Sequence, residues 1–113
     1  MYRQGDLLFV RVNEIPESAE TISDTPKVKG KTVIEFGEGT GHAHIADVDK
    51  AYTFNFQDGM INFIEIENPT EIVHDVGNDS ETPHNPITLP KGKYQIFRQR
   101  EDSLIGRNHN VID

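Results

Sequence analysis

The sequence predicts an all-β domain, a small antiparallel β-barrel or sandwich. Three observations carry this: apolar residues recur with a period of two, turn residues interrupt them about every ten positions, and no window of useful length shows a helical period. In residues 6 to 12, Leu8, Val10 and Val12 alternate with Leu7 and Phe9 on the other side. In 31 to 36, Thr32, Ile34 and Phe36 stand against Lys31 and Glu35. Residues 42 to 48 read as a further strand. Tyr52, Phe54 and Phe56 alternate with Thr53 and Asn55, Gln57-Asp58-Gly59 turns the chain, and Met60, Ile64 and Ile66 share the parity of the returning strand, which makes a hairpin. Residues 70 to 76 and 87 to 100 extend the pattern, the latter broken by the turn signal Pro90-Lys91-Gly92. Residues 13 to 30 and 77 to 86, rich in polar residues and proline, read as surface loops, and 101 to 113 as a polar C-terminal tail. The whole, residues 1 to 113, is read as one β domain.

Composition narrows the chemistry. The 113 residues carry 11 Lys and Arg against 19 Asp and Glu, a formal net charge of −8, which repels a phosphate backbone at long range and argues against nucleic acid as a partner. With no cysteine, disulfides, thiolate metal sites and thiol nucleophiles are excluded. Any metal would be held by His, Asp, Glu, main-chain oxygen or water. The opening stretch MYRQGDLLFVRV has a short apolar run with an arginine inside it, neither signal peptide nor membrane span, so the expectation is a cytoplasmic protein.

The stretch GEGTGHAHI, residues 37 to 45, concentrates three glycines and two histidines. On a strand, side chains at i and i+2 share a face, so His42 and His44 point the same way, a chelating arrangement. Ile72 and His74 likewise share a face, and His74 points inward if Ile72 is core. His84 stands just before Pro86 and the strand that begins at Ile87. His42, His44, His74 and His84 are therefore the candidate metal ligands, for zinc, iron, nickel, copper or manganese. His109 lies in the tail and is left out of the set.

Plainer readings stand beside these. The two histidines could be solvated on a half-exposed strand, and the glycines could serve a turn that needs positive φ. Arg98 and Arg100 share parity with Tyr94 and Ile96 and, with Gln99 between them and Lys91 and Lys93 nearby, offer an anion- or partner-binding face. Alternatively, they protect an edge strand by charge. Glu65, Glu67, Asp75 and Glu81 read as solvated, although Asp75 beside His74 could orient a ligand from behind. Asp75 and Glu65 are the best available general bases should the protein be an enzyme, a point the sequence leaves open.

The order of glycines, His-x-His on one strand, a further histidine on a later strand and a Pro-x-Gly turn resembles the cupin superfamily, whose first motif supplies two histidines and whose second supplies another. That resemblance implies a cupin-like barrel, a divalent metal and pairing into a homodimer. No glutamate follows His44 at the cupin spacing. A resemblance covering nearly the whole chain is carried by QGDLLFVRV, GEGTGHAH, IVHD and HNPITLPKGKYQIFRQRE. These blocks are similar, in this order, to a family of short bacterial and phage proteins. In that family the later blocks read as a compact His-acidic-acidic-His before a proline-glycine turn; here nine residues, Asp75 to Pro83, separate His74 from His84.

Two function classes follow. In one, the histidines hold a divalent metal that binds water or polarises a substrate oxygen. In the other, a non-catalytic binding or accessory module engages a small molecule or protein through the face carrying Arg98, Gln99 and Arg100. No phosphate loop, dinucleotide fingerprint or nucleophile elbow is present to name a substrate.

Overall fold

The computed structural model describes residues 1–36, 42–75 and 84–99; of His84 and Asn85 only the backbone is described. Among the described residues, eleven strands run in chain order: β1 (Tyr2–Gln4), β2 (Leu7–Val12), β3 (Glu20–Ile22), β4 (Lys27–Val28), β5 (Lys31–Phe36), β6 (Ala43–Ala46), β7 (Lys50–Thr53), β8 (Phe63–Ile66), β9 (Thr70–Asp75), β10 (His84–Leu89) and β11 (Gly92–Arg98). They form two antiparallel sheets, of order β1-β2-β11-β8-β7-β3 and β10-β9-β6-β5-β4. Of the two architectures expected, the described residues take the sandwich. Neither sheet closes into a barrel, no helix is present among these residues, and no cupin architecture is shown.

Alternation decides what each sheet buries. Leu7 and Phe9 of β2, Ile64 and Ile66 of β8, and Tyr94 and Ile96 of β11 face Ile34, Ala46, Ile72 and Leu89 of the smaller sheet, all within 3% of full burial. Tyr94 keeps its hydroxyl satisfied by donating to the Pro90 carbonyl at 2.6 Å, so the aromatic body packs while its polar tip stays paired. A second, smaller apolar group, Val33, Ala43 and Ile45 with Val28 and Val73, lies on the opposite face of the five-stranded sheet.

Several expectations need correction. The segment 13–30 is not loop throughout: β3 pairs with β7 and β4 pairs with β5, each at the edge of its sheet, so the chain crosses from one sheet to the other between them. Both strands are too short to display a period, which is why the pattern missed them. The Val28-Lys29-Gly30-Lys31 turn did carry a signal. Lys29 (φ 54°) and Gly30 (φ 81°) both take left-handed backbone, the two-residue hairpin turn whose twist matches its strands. The strand expected over 42–48 is shorter, Ala43–Ala46. The hairpin of 52–56 with 60–66 exists, but its first strand is Lys50–Thr53 and its inward residues are Ala51 and Thr53; Phe54 and Phe56 fall in the connection and are exposed. The expected loop 77–86 ends in strand, since β10 begins at His84. Residues 37–41, with the glycines expected to serve a turn, residues 76–83, Arg100 and the tail 101–113 with His109 lie outside the described residues.

The inter-sheet layer predicts a contrast within β2 and β11. Phe9→Ala, which opens a cavity between the sheets, should cost about 3–5 kcal/mol. Phe97→Ala, on the outer face at 43% exposure, should cost about 1 kcal/mol or less. Urea denaturation of the two variants checks it; equal losses would mean that the core is not where the alternation places it.

Candidate functional site

The candidate site grows out of strand register. In antiparallel pairs, directly opposed residues put their side chains on the same face. Glu35 of β5 opposes His44 of β6, His44 opposes His74 of β9, and His74 opposes His84 of β10. One transverse row therefore runs Glu35–His44–His74–His84 across four strands. His44 shares the parity of Ala46, and His74 that of Ile72, so the row faces the other sheet. There, Gln4 and Arg98 both oppose Leu7, forming a second row in register with it. Gln4 and Arg98, on either side of the buried Leu7, thus meet His44 and Glu35 of the smaller sheet at one end of the sandwich core.

Glu35 reaches this row because of an irregularity. Simple alternation sets Glu35 on the side opposite Ile34, but the pairing slips between Val33 and Glu35, so both Ile34 and Glu35 turn inward. The carboxylate then accepts from Arg98 Nε at 2.5 Å, with the arginine side chain only 7% exposed. The same guanidinium donates to the carbonyls of Ile61 (2.9 Å) and Ile34 (3.3 Å).

Gln4 fixes its partner just as closely. Its Nε2 donates to the Ile72 carbonyl at 2.8 Å, which leaves Oε1 facing His44 Nδ1 at 2.7 Å. Nδ1 must then carry the hydrogen, and the lone pair of neutral His44 resides on Nε2. Burial lowers the His44 pKa from 6.5 to about 4, the neighbouring His74 pushing the same way while Glu35 and Asp6 oppose it. Gly5, at φ 58° in the turn between β1 and β2, passes alongside this ring; a Cβ there would stand 3.4 Å from His44 Cε1.

His74 is flanked by both other rings. His44 stacks on it at 4.4 Å with planes 7° apart, and His42 meets it edge to face at 5.7 Å and 80°. Imidazole lone pairs lie in the ring plane, so two parallel stacked rings do not aim at one point. Among the described residues, no group of three or more His, Asp or Glu side chains is poised to hold a metal ion. The His84 backbone continues the row, but its side chain lies outside the described residues.

The other candidates fall elsewhere. Asp75 opposes Ala43, on the far face of its sheet from His74, and pairs with Lys29 at 2.7 Å, so it does not orient the histidine. Glu65 opposes Lys50 and Lys93 on the outer face of the larger sheet and accepts from the Tyr52 hydroxyl at 3.0 Å. Arg98 does not protect an edge, because β11 runs between β2 and β8, and its guanidinium turns inward to Glu35. The Gln99 side-chain oxygen accepts from Arg3 at 2.7 Å, and its backbone N–H donates to the Asp6 carbonyl at 2.8 Å. The sequence reading missed Glu35, hidden by the bulge, and Gln4, whose strand of three residues shows no period.

Beside Glu35, at the β3–β4 side of the sandwich, opens a cleft of about 590 Å³ with walls from both sheets. Ile34 and Ile61, whose carbonyls Arg98 holds, contribute to its lining.

Fold and site together define a small two-sheet β domain with a polar layer at one end of its core. The chain belongs to the family described as a domain of unknown function (DUF8820), which it matches over residues 3–99. No curated protein and no solved structure shows a significant match.

Two outcomes are expected. Because the folded pKa of His44 is depressed, the unfolded chain takes up this proton first; the contribution of this group is intact above pH 6.5 and is lost as pH falls toward about 4, by up to ~3 kcal/mol. Denaturation at a series of pH values should show this acid limb shrink in His44→Gln, whose amide can still pair with Gln4. An unchanged slope would refute the assignment. Arg98→Met strands the Glu35 carboxylate and should cost about 3 kcal/mol, part of it restored in Arg98→Met/Glu35→Leu; strictly additive losses would show that the two groups do not depend on each other.

Proposed function

We propose that this domain binds a divalent transition metal through the histidine row, with His44, His74 and His84 as principal ligands and His42 as a neighbour able to join them. The observation that supports the reading is the register, which opposes the backbones of three histidines on three adjacent strands and stacks the rings of His44 and His74 on one face. His44 is suited to a ligand's part. It stays neutral well below physiological pH, and Gln4 occupies Nδ1 and thereby leaves Nε2 with its lone pair, the outer support that ligating histidines ordinarily have. Coordination requires one ring of the stacked pair to turn about its side-chain torsions, so that the lone pairs converge. An imidazole set of this kind suits zinc, nickel, copper or iron better than magnesium or calcium, with manganese the least suited of the transition ions.

The partner-face alternative is weaker. Arg98 is tied inward, which leaves that face to Gln99 and to Arg100, the latter outside the described residues. The reading is one of binding and assigns no reaction. Glu35, held by Arg98, is the carboxylate in the row, and neither Asp75 nor Glu65 faces it.

Calorimetric titration of metal-free protein with zinc and with nickel tests the proposal. One ion per chain is expected, with affinity reduced about tenfold or more in His44→Ala and in His74→Ala and unchanged in His109→Ala. At about 100 times Kd the ion should raise stability by ~2.7 kcal/mol. Because protons compete for imidazole, binding should weaken as the pH falls and be further reduced toward about 4, where His44 itself takes a proton. Absence of saturable binding, or wild-type affinity in His74→Ala, overturns the reading.

A further inference from the structure

The cleft of about 590 Å³ is independent of the histidine row in its chemistry. It has the size of a small-molecule site, where 300–1,000 Å³ is usual. Its apolar surface includes Phe36, Phe56 and Met60, and the two rings are 61% and 57% exposed, so their faces are open to an occupant. Side chains of this size, gathered with Ile22 around one concavity, offer more apolar contact than scattered surface hydrophobics do.

Charge is one-sided. Among the described residues, the lining contains Asp24, Glu35 and Asp58 and no Lys, Arg or His. Glu35 is neutralised by Arg98, which grips the floor through the Ile34 and Ile61 carbonyls. The negative charge left for an occupant is that of Asp24 and Asp58. Asp58 accepts from the Met60 amide through Oδ1 at 2.8 Å, which orients the carboxylate and leaves its second oxygen for another donor. A net charge of −8 adds a general attraction for cations.

We infer that this cleft binds a small organic cation, an ammonium group on an aromatic or aliphatic body. The body lies against Phe36, Phe56 and Met60, and the ammonium lies toward Asp24 and Asp58. An anion of the same shape would meet the carboxylates and be rejected, and a neutral analogue would keep only the apolar contacts. Open aromatic faces add attraction for the cation.

The test uses the full chain in the presence of chelator, so that its result is separable from that of the metal reading. Phenethylammonium, 2-phenylethanol and 3-phenylpropionate are titrated while backbone amide resonances are followed. Phenethylammonium should bind saturably, roughly in the millimolar range expected of so small a ligand, with shifts confined to residues 22–26, 33–36 and 53–61. The alcohol should bind more weakly and the carboxylate most weakly. Asp24→Asn/Asp58→Asn, which keeps the Asp58 acceptor, should weaken the cation about three- to tenfold and leave the alcohol unchanged. Equal binding of cation and carboxylate, no saturable binding of the cation, or indifference to the double substitution overturns the inference. So does preference for a basic peptide such as tetralysine with shifts running beyond the cleft, which would mark a protein-docking surface instead.

Discussion

The Glu35–Arg98 pair joins the two sheets at the end where their apolar contacts give out. Arg98 projects from the middle of the larger sheet and Glu35 from the smaller one, and three hydrogen bonds from one guanidinium reach Glu35, Ile34 and Ile61. An arginine side chain 7% exposed needs such pairing, because a buried charge without it costs several kcal/mol. The pair adds little net stability over well-packed apolar groups, but it fixes how the sheets sit on each other. Gln4 makes a second connection from the edge strand β1 to Ile72 and His44. The orientation of the His44 ring and the walls of the cleft at Ile34 and Ile61 depend on these two connections.

A single extra residue makes the arrangement possible. The bulge in β5 lets Ile34 remain in the core while Glu35 turns to the same side, something regular alternation forbids. Without it, Glu35 would face the other side of the sheet and Arg98 would be buried without its carboxylate. The bulge also places Glu35 between the histidine row, where it opposes His44, and the cleft, whose lining it joins.

The stacking of His44 on His74 shows how register and electrostatics combine. Opposed residues on neighbouring strands approach closely, so two imidazoles at one level of the sheet must either stack or separate. Stacking is tolerable while both are neutral and becomes unfavourable when both are charged, and this repulsion contributes to the lowered pKa of His44 along with burial.

The sequence by itself determined the fold class, since period-two alternation and the spacing of turns require sheets that bury one face against another. It also determined that no thiol chemistry exists here; the shared side expected of His42 and His44 from i, i+2 alternation does not carry over, because β6 begins at Ala43 and His42 precedes it. What it could not determine is pairing between strands distant in the chain. That His44, His74 and His84 line up, and that Asp75 beside His74 in sequence lies on the opposite face, follows from which residue opposes which. Arg98 looked like surface charge because its parity says only which face it takes; the tertiary structure decided that this face is the core side of a central strand. Short strands such as β1 and β3 carry too few residues for a period, so Gln4 and the β3–β4 crossover were invisible in the sequence and exist only through the partners they pair with.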